Sequence, residues 1–180
     1  PLAITGVIDE RNLFVDEATG RWDESSYVPS YIRCYPFALA SAEETRMAVV
    51  IDRAAESITE DPEFPFFEND ELTGNTQQMM EFCAKFQAER ARTVEFCSRL
   101  TELDLLTVQQ ATHRPPGAEK DELIANYVTI DTKKLSELDG DTVTQLHRNG
   151  QLSAMYLQSY SIENFRHLVT RRALHPPKAA

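Results

Sequence analysis

The sequence lacks the residue clusters that most enzyme chemistries need. Its six glycines are scattered singly, so no glycine-rich loop is available to hold a phosphate. No serine stands in a Gly-x-Ser-x-Gly elbow. The four histidines have no ligand-like spacing, and there is no Cys-x-x-Cys pair, which argues against a zinc site. We therefore predict no catalytic residue, no metal site and no cofactor.

Cysteines and long apolar runs are also scarce. The three cysteines are an odd number, and Cys83 and Cys97 lie about 21 Å apart if both are on one helix, at 1.5 Å per residue. They could not form a disulfide across that helix. Cys34 follows Arg33, which could activate its thiol, although a buried and inert thiol is the interpretation we favour. No signal peptide or membrane-spanning run is present, so we predict a cytoplasmic protein without membrane insertion.

Positively charged residues are also few. The chain carries 18 Lys and Arg against 29 Asp and Glu, a formal net charge of −11. Nucleic acids and anionic membranes bind basic surfaces, so neither is predicted as the main partner. Residues 54–84 contain no Lys or Arg, and we interpret them as a solvated acidic surface, with cation binding or partner repulsion as the alternative. The acidic residues there are Glu56, Glu60, Asp61, Glu63, Glu68, Asp70, Glu71 and Glu81.

Aromatic residues are concentrated near the start of the chain, with six of the sixteen between Phe14 and Phe37. Residues 13–15 and 21–22 predict a hairpin with Gly20 in its turn, and an apolar run at residues 2–8 predicts a third strand of a meander. Tyrosines recur at every fourth position from Tyr27 to Tyr35. We predict a short helix over residues 29–35, with its last two tyrosines on one face.

Aromatic side chains together with arginine are typical of binding hot spots, because they contribute large contact areas and tolerate partial exposure. Packing at the rim of a core is the competing interpretation of the same residues. Our predicted binding site for a partner or ligand consists of Trp22, Tyr27, Tyr31, Arg33, Tyr35 and Phe37.

The middle of the chain predicts a buried strand, a loop and one long helix. Residues 47–51 are apolar and β-prone. Residues 57–75 contain two prolines and a glycine, so we predict a surface loop that packs onto the core through Phe64, Phe66 and Phe67. From residue 76 to about 103, apolar residues recur at spacings of three and four with no Gly or Pro, which indicates an amphipathic helix.

The last third predicts a hairpin followed by helices. Residues 105–112 and 123–130 are strand-like. Asp131 and Thr132 can cap one short helix, and Asp139 and Asp141 can cap a second. Residues 152–160 fit either a helix or a strand, and Ser161 is a predicted cap for a final helix. The predicted fold class is α+β, with a small, mostly antiparallel sheet packed on one long helix and a helical C-terminal third.

Several strings in the chain resemble the signature of the SapC family, bacterial proteins named for a surface-layer gene cluster. These are Asn-Leu-Phe-Val-Asp from Asn12, then Gly20, Trp22, Tyr27-Val28-Pro29, Tyr31, Arg33 and Tyr35-Pro36-Phe37. The resemblance continues through Ile51-Asp52, the long helix and the Leu-rich end. It implies no enzymatic activity or cofactor, and it implies association with a surface layer as the alternative to a cytoplasmic location.

The resemblance also bears on the limits of the domain. Family members are usually longer at the amino end, so it implies a single SapC-like domain over residues 1–173 that lacks its amino-terminal part. Residues 174–180 are a predicted flexible tail. The run from Gly150 to Ser161 looks like the family's closing motif, in which a His is expected where this chain has Gln158. Without the imidazole, that position has no general acid or base.

These observations lead to one functional prediction and one alternative. We predict a non-enzymatic binding or assembly protein of the SapC type that uses its aromatic and arginine surface to recognise a protein partner or another copy of itself. The alternative is an enzyme, or an accessory protein of an enzyme, with a small-molecule pocket lined by the same aromatics. A closed pocket around Tyr31 and Arg33 beside a titratable group would favour the alternative.

Overall fold

The protein combines helices with short antiparallel sheets, which confirms the predicted α+β class. The computed structural model describes residues 1–8, 11–43, 46–115 and 117–174. A 3-10 turn at Ile162–Asn164 joins the last two helices. The helices are α1 (Ser30–Cys34), α2 (Gly74–Glu102), α3 (Thr132–Ser136), α4 (Gly140–Arg148), α5 (Gln151–Ser161) and α6 (Phe165–Leu174), and the strands are β1 (Phe37–Glu43), β2 (Arg46–Ile51), β3 (Phe67–Glu68), β4 (Glu71–Leu72), β5 (Leu106–His113) and β6 (Glu122–Ile130).

The chain divides into two compact units. The first unit consists of Pro1–Ser26 and Phe96–Ala180, and the second unit is Tyr27–Glu95. The second unit is therefore inserted into the sequence of the first, and helix α2 contributes residues to both. The single domain over residues 1–173 stays a prediction. Of the predicted tail, Leu174 is the last residue of α6, and residues 175–180 lie outside the described part of the chain.

The strands pair as three separate two-stranded antiparallel sheets. The sheet β5–β6 runs from the pair Leu106 and Ile130 to the pair His113 and Glu122, with an irregularity after Ala111, and it confirms the predicted hairpin. The sheets β1–β2 and β3–β4 lie in the second unit.

The predicted three-strand meander at the amino end is wrong. Residues 1–7 form no strand, and the predicted hairpin is present only as one antiparallel bridge between Val15 and Trp22. The first segment instead folds back on itself, so that the Leu13 N–H donates to the Thr5 carbonyl at 2.8 Å. Gly6 is required in this fold, because a Cβ there would lie 2.0 Å from the Arg11 carbonyl oxygen.

The main core of the first unit forms where the β5–β6 hairpin meets α3, α4 and α5. Asp131 accepts hydrogen bonds from the Lys133 and Lys134 N–H groups, and Asp139 accepts one from the Thr142 N–H, which confirms both predicted caps. Residues 151–161 are helical, which settles the ambiguity at residues 152–160. The buried members of this core are Leu100, Leu105, Ile130, Leu135, Leu146 and Met155.

A second core in the first unit joins the amino-terminal segment to helix α6. Val7, Leu13 and Leu168 are buried together there. Arg171 of α6 holds the segment by three contacts. Its Nε donates to the Leu13 carbonyl at 2.7 Å, its guanidinium lies 4.5 Å from the centre of the Phe14 ring, and it pairs with the Asp23 carboxylate. We call this set of contacts the Arg171 clamp.

The second unit has its own core around Cys34, Phe37 and Cys83. The ring of Phe66 packs edge-on against Phe37 with centroids 5.4 Å apart, so the loop before α2 is attached to this core as predicted. The prediction holds for Phe66 alone, however. Phe64 and Phe67 point to solvent, with 63% and 61% of their surface exposed.

Removal of a large side chain from the main core should destabilise the first unit. Leu105 is 0% exposed, so we expect Leu105→Ala to lower the free energy of unfolding by about 2–5 kcal/mol through lost burial and the cavity left behind. Urea unfolding followed by circular dichroism measures the change. Leu157, which is 69% exposed on α5, provides the matched control, and Leu157→Ala should cost no more than about 0.5 kcal/mol. Equal losses in the two variants would contradict the core assignment.

The Arg171 clamp should also make stability depend on pH. Hydrogen bonds from Arg171, and then from Ser25 and Ser26, hold the pKa of Asp23 well below its ordinary value of 3.8. A carboxyl whose pKa is lowered on folding stabilises the fold above its unfolded pKa, and the contribution is lost as the pH falls below that value. We therefore expect Asp23→Asn to be less stable than wild type at pH 7, with the difference shrinking as the pH falls below 3.8. Urea titrations of both proteins at pH 7 and at a pH below 3.8 test this. Glu24→Gln, a change at the exposed neighbouring residue, serves as the control.

Candidate functional site

The structure divides the six predicted binding residues between the two units. Trp22 belongs to the first unit, whereas Tyr27, Tyr31, Arg33, Tyr35 and Phe37 belong to the second. The Trp22 ring stacks on Phe14 with centroids 5.6 Å apart, and its Nε1 donates to the Ser26 carbonyl at 3.2 Å. The indole is half-buried, and its contacts are with neighbouring residues of the same hairpin.

Helix α1 positions the tyrosines of the second unit. It begins after Pro29, whose φ of −53° suits a helix start, and it ends at Tyr35, which is extended because Pro36 follows. The predicted helix is confirmed for Ser30–Cys34, but because Tyr35 is extended, Tyr31 and Tyr35 do not share a helical face as predicted. Tyr27 is 70% exposed, Tyr31 77% and Tyr35 58%, so all three rings face solvent. We call these three residues with Arg33 the tyrosine surface.

The other side of α1 fixes this surface to the second core. Cys34 and Phe37 are buried, whereas the neighbouring tyrosines are exposed. Phe37 is therefore not available for contact with a partner. Of the six predicted binding residues, Phe37 is therefore part of the core of the second unit, and Trp22 is part of the hairpin of the first unit.

Hydrogen bonds hold two of the tyrosines in place. The Tyr27 hydroxyl lies 2.8 Å from Ser30 Oγ, and this contact, together with nearby Arg33, lowers the pKa of Tyr27. The Tyr35 hydroxyl donates to Asp52 Oδ2 at 3.1 Å. That carboxylate raises the pKa of Tyr35, because ionisation would place two negative charges together. The exposed rings are therefore ordered in part before any partner binds.

Arg33 borders a shallow depression beside the tyrosine surface. Its guanidinium carbon lies 4.6 Å from the centre of the Phe82 ring, a cation–π contact. The depression has a volume of about 260 Å³ and is lined by Arg33, Asn75, Gln78, Met79 and Phe82. These side chains carry neither a carboxylate nor an imidazole nor a thiol, and Tyr31 is not among them.

A larger groove lies in the first unit, and the sequence patterns do not predict it. It has a volume of about 640 Å³, and Phe14 and Trp22 contribute its aromatic lining. Two ion pairs border it, Arg11 with Glu17 at 3.0 Å and Arg171 with Asp23. The signal that could have identified it is the cluster of oppositely charged residues at positions 11–23. Arg11 and Arg171 are therefore both paired with carboxylates of the same protein.

Two of the three thiols lie together in the core of the second unit. Cys34 and Cys83 are buried side by side, and desolvation together with the neighbouring Cys34 raises the pKa of Cys83 to about 11. A thiolate is therefore disfavoured there. Across residues 1–8, 11–43, 46–115 and 117–174, no three His, Cys, Asp or Glu side chains converge as a metal site would require.

The predicted closing motif has a structural role in the chain. The Gln158 Oε1 accepts a hydrogen bond from Thr129 Oγ1 at 3.1 Å, which ties α5 to β6. The Ser161 hydroxyl donates to the Gln158 carbonyl at 2.7 Å. The prediction of Ser161 as a helix cap is wrong, because its side chain caps no N–H and the backbone continues from α5 through the 3-10 turn into α6.

Comparisons with known proteins add one finding. The sequence model of a protein family described as SapC matches residues 1–168. No curated protein and no solved structure matches the chain. None of the helices in the described residues is long and apolar enough to cross a membrane. Because the family match spans far more than half of the 180 residues, the chain belongs to the SapC family.

Proposed function

We propose that this protein is a non-enzymatic binding or assembly protein, and that the tyrosine surface recognises a protein partner or a second copy of the chain. The observation that carries the proposal is the contrast in exposure around α1. Tyr31 in the helix and Tyr27 and Tyr35 on either side of it in the sequence are exposed to solvent, whereas Cys34 and Phe37 are fixed in the core. Tyrosine and arginine are enriched at the residues that dominate binding energy in protein interfaces.

The rigidity of this surface supports the proposal. Tyr27 and Tyr35 are hydrogen-bonded, and Tyr31 packs near Phe86 with ring centroids 6.4 Å apart. Ordering a side chain on binding costs about 0.5–1.5 kcal/mol, and rings that are already held lose less of this entropy. Ile32, which is also exposed, adds apolar area to the same helix.

The alternative of an enzyme or enzyme accessory with a small-molecule pocket has less support. Arg33 does border a depression, but the depression is shallow, and its lining offers amides, a thioether and an aromatic ring. A small-molecule site typically encloses most of its ligand in a volume of about 300–1,000 Å³. A cytoplasmic location is part of the proposal and rests on the low and unpaired cysteine content.

The proposal is tested by the oligomeric state of matched tyrosine variants. We expect the wild type to self-associate and the Tyr27→Ala/Tyr31→Ala variant to be monomeric, because loss of a hot-spot tyrosine costs about 2 kcal/mol or more, roughly 30-fold in affinity. Light scattering over a concentration series measures the mass. Tyr156→Ala/Tyr160→Ala, which removes two exposed tyrosines from α5, is the control and should retain the wild-type mass.

A photo-crosslinking residue at position 31 tests the heterologous version of the proposal. If the wild type is a monomer, self-assembly is wrong, and the label should then capture one discrete protein that the same label at position 156 does not capture. A monomer without such a specific product would contradict protein recognition by the tyrosine surface.

A further inference from the structure

The depression at the tyrosine surface is formed by Arg33 and by one side of helix α2. Asn75, Gln78, Met79 and Phe82 stand at helical positions i, i+3, i+4 and i+7, which places their side chains on the same side of α2. Met79 and Phe82 are half-buried, whereas Asn75 and Gln78 are exposed. The volume of about 260 Å³ is below the range of about 300–1,000 Å³ that is typical of small-molecule sites, so the depression suits a single side chain.

Arg33 brings a positive charge to this depression without a carboxylate partner. Among the residues that the structure describes, no Asp or Glu forms an ion pair with Arg33, whereas Arg92 of the same unit pairs with Glu89 at 2.9 Å. The guanidinium lies over the Phe82 ring, with its central carbon 4.6 Å from the ring centre. A guanidinium that stacks in this way keeps the N–H groups at its edge for an acceptor, and a carboxylate can accept two of them at once.

The rest of the lining is suited to the same acceptor. The amides of Asn75 and Gln78 each carry two N–H donors, and within the described part of the chain neither side chain has a hydrogen-bond partner. The lining contains no Asp or Glu, so an incoming carboxylate meets no like charge inside the depression. The donors of three side chains are thus available to one anion.

The same guanidinium also connects the depression to the exposed tyrosines. The Ser30 contact and then Arg33 lower the pKa of Tyr27, since the guanidinium lies close to the Tyr27 hydroxyl. Tyr31 packs near Phe86, which lies one turn after Phe82 on α2. A protein that covers the exposed rings therefore also reaches Arg33.

We propose that the depression receives a Glu or Asp side chain of the protein that binds the tyrosine surface. Its carboxylate accepts hydrogen bonds from Arg33 and from the amides of Asn75 and Gln78, while an apolar residue next to it in the partner contacts the tyrosine rings. This inference rests on the proposed function and adds the chemistry by which the partner is recognised.

Titration with two capped peptides, followed by NMR, tests the inference directly. The probe is acetyl-Leu-Glu-Leu-amide, and its control, acetyl-Leu-Gln-Leu-amide, has the same shape without the charge. We expect the Glu peptide to shift the side-chain signals of Arg33, Asn75 and Gln78 and to bind about tenfold more tightly than the Gln peptide, the effect of one charge-assisted hydrogen bond. Acetate should bind more weakly than the Glu peptide, because it brings no apolar side chain.

Matched variants assign the binding to the depression. Arg33→Gln should weaken binding of the Glu peptide about tenfold and leave binding of the Gln peptide unchanged. Arg33→Lys keeps the charge but not the planar fork, so it should also weaken binding, as should Asn75→Ala/Gln78→Ala. Arg90→Gln, which removes an exposed arginine from the same helix, is the control and should bind as the wild type does. All these positions are exposed, so the variants should stay folded, which circular dichroism checks.

The inference is overturned if the wild type binds both peptides equally, if acetate binds as tightly as the Glu peptide, or if Arg90→Gln weakens binding as much as Arg33→Gln. Failure of the proposed function is seen elsewhere, in the solution mass and in the capture by the label at position 31. A partner that is captured at position 31 and binds Arg33→Gln as tightly as wild type would leave the proposed function in place and contradict the inference alone.

Discussion

The Arg171 clamp is the interaction on which the first unit depends, because it joins residues that are 158 positions apart in the chain. The N–H groups of its guanidinium bind the Leu13 carbonyl and the Asp23 carboxylate, and the guanidinium also lies over the Phe14 ring. Arginine suits this role because its planar fork donates in several directions while its face stacks on an aromatic ring. The hairpin that carries Trp22 is attached to α6 through these contacts.

Local patterns in the sequence are sufficient for the elements whose causes are local. The strand-like residues 105–112 and 123–130 predict the hairpin, Pro29 and Pro36 bound α1, and Asp131 and Asp139 cap their helices. The amino-terminal segment is different. Its apolar residues have the composition of a strand, but Val7 is buried by Leu13 and Leu168, and no local pattern reveals a partner so distant in sequence.

In the candidate site, too, local sequence patterns do not show which aromatic side chains are buried and which are exposed. Composition locates the aromatic stretch and the long-range packing decides which of its members are accessible. Phe37 is buried by Phe66, twenty-nine residues later, and Trp22 is occupied by Phe14. Tyrosine and phenylalanine can lie in a core or at its rim, so the sequence alone cannot divide the six residues as the contacts do. For the same reason the sequence predicts Phe64 and Phe67 in the core, although both are exposed.

The insertion of Tyr27–Glu95 within the sequence of the first unit has a consequence for the nascent chain. The core around Cys34, Phe37 and Cys83 is built entirely from residues of that insertion, so it can form as soon as α2 has left the ribosome. The core around Val7 and Leu13 must wait for Leu168. Val7 and Leu13 are therefore synthesised long before the helix that buries them, and until then their apolar side chains are open to any chaperone that binds the emerging protein.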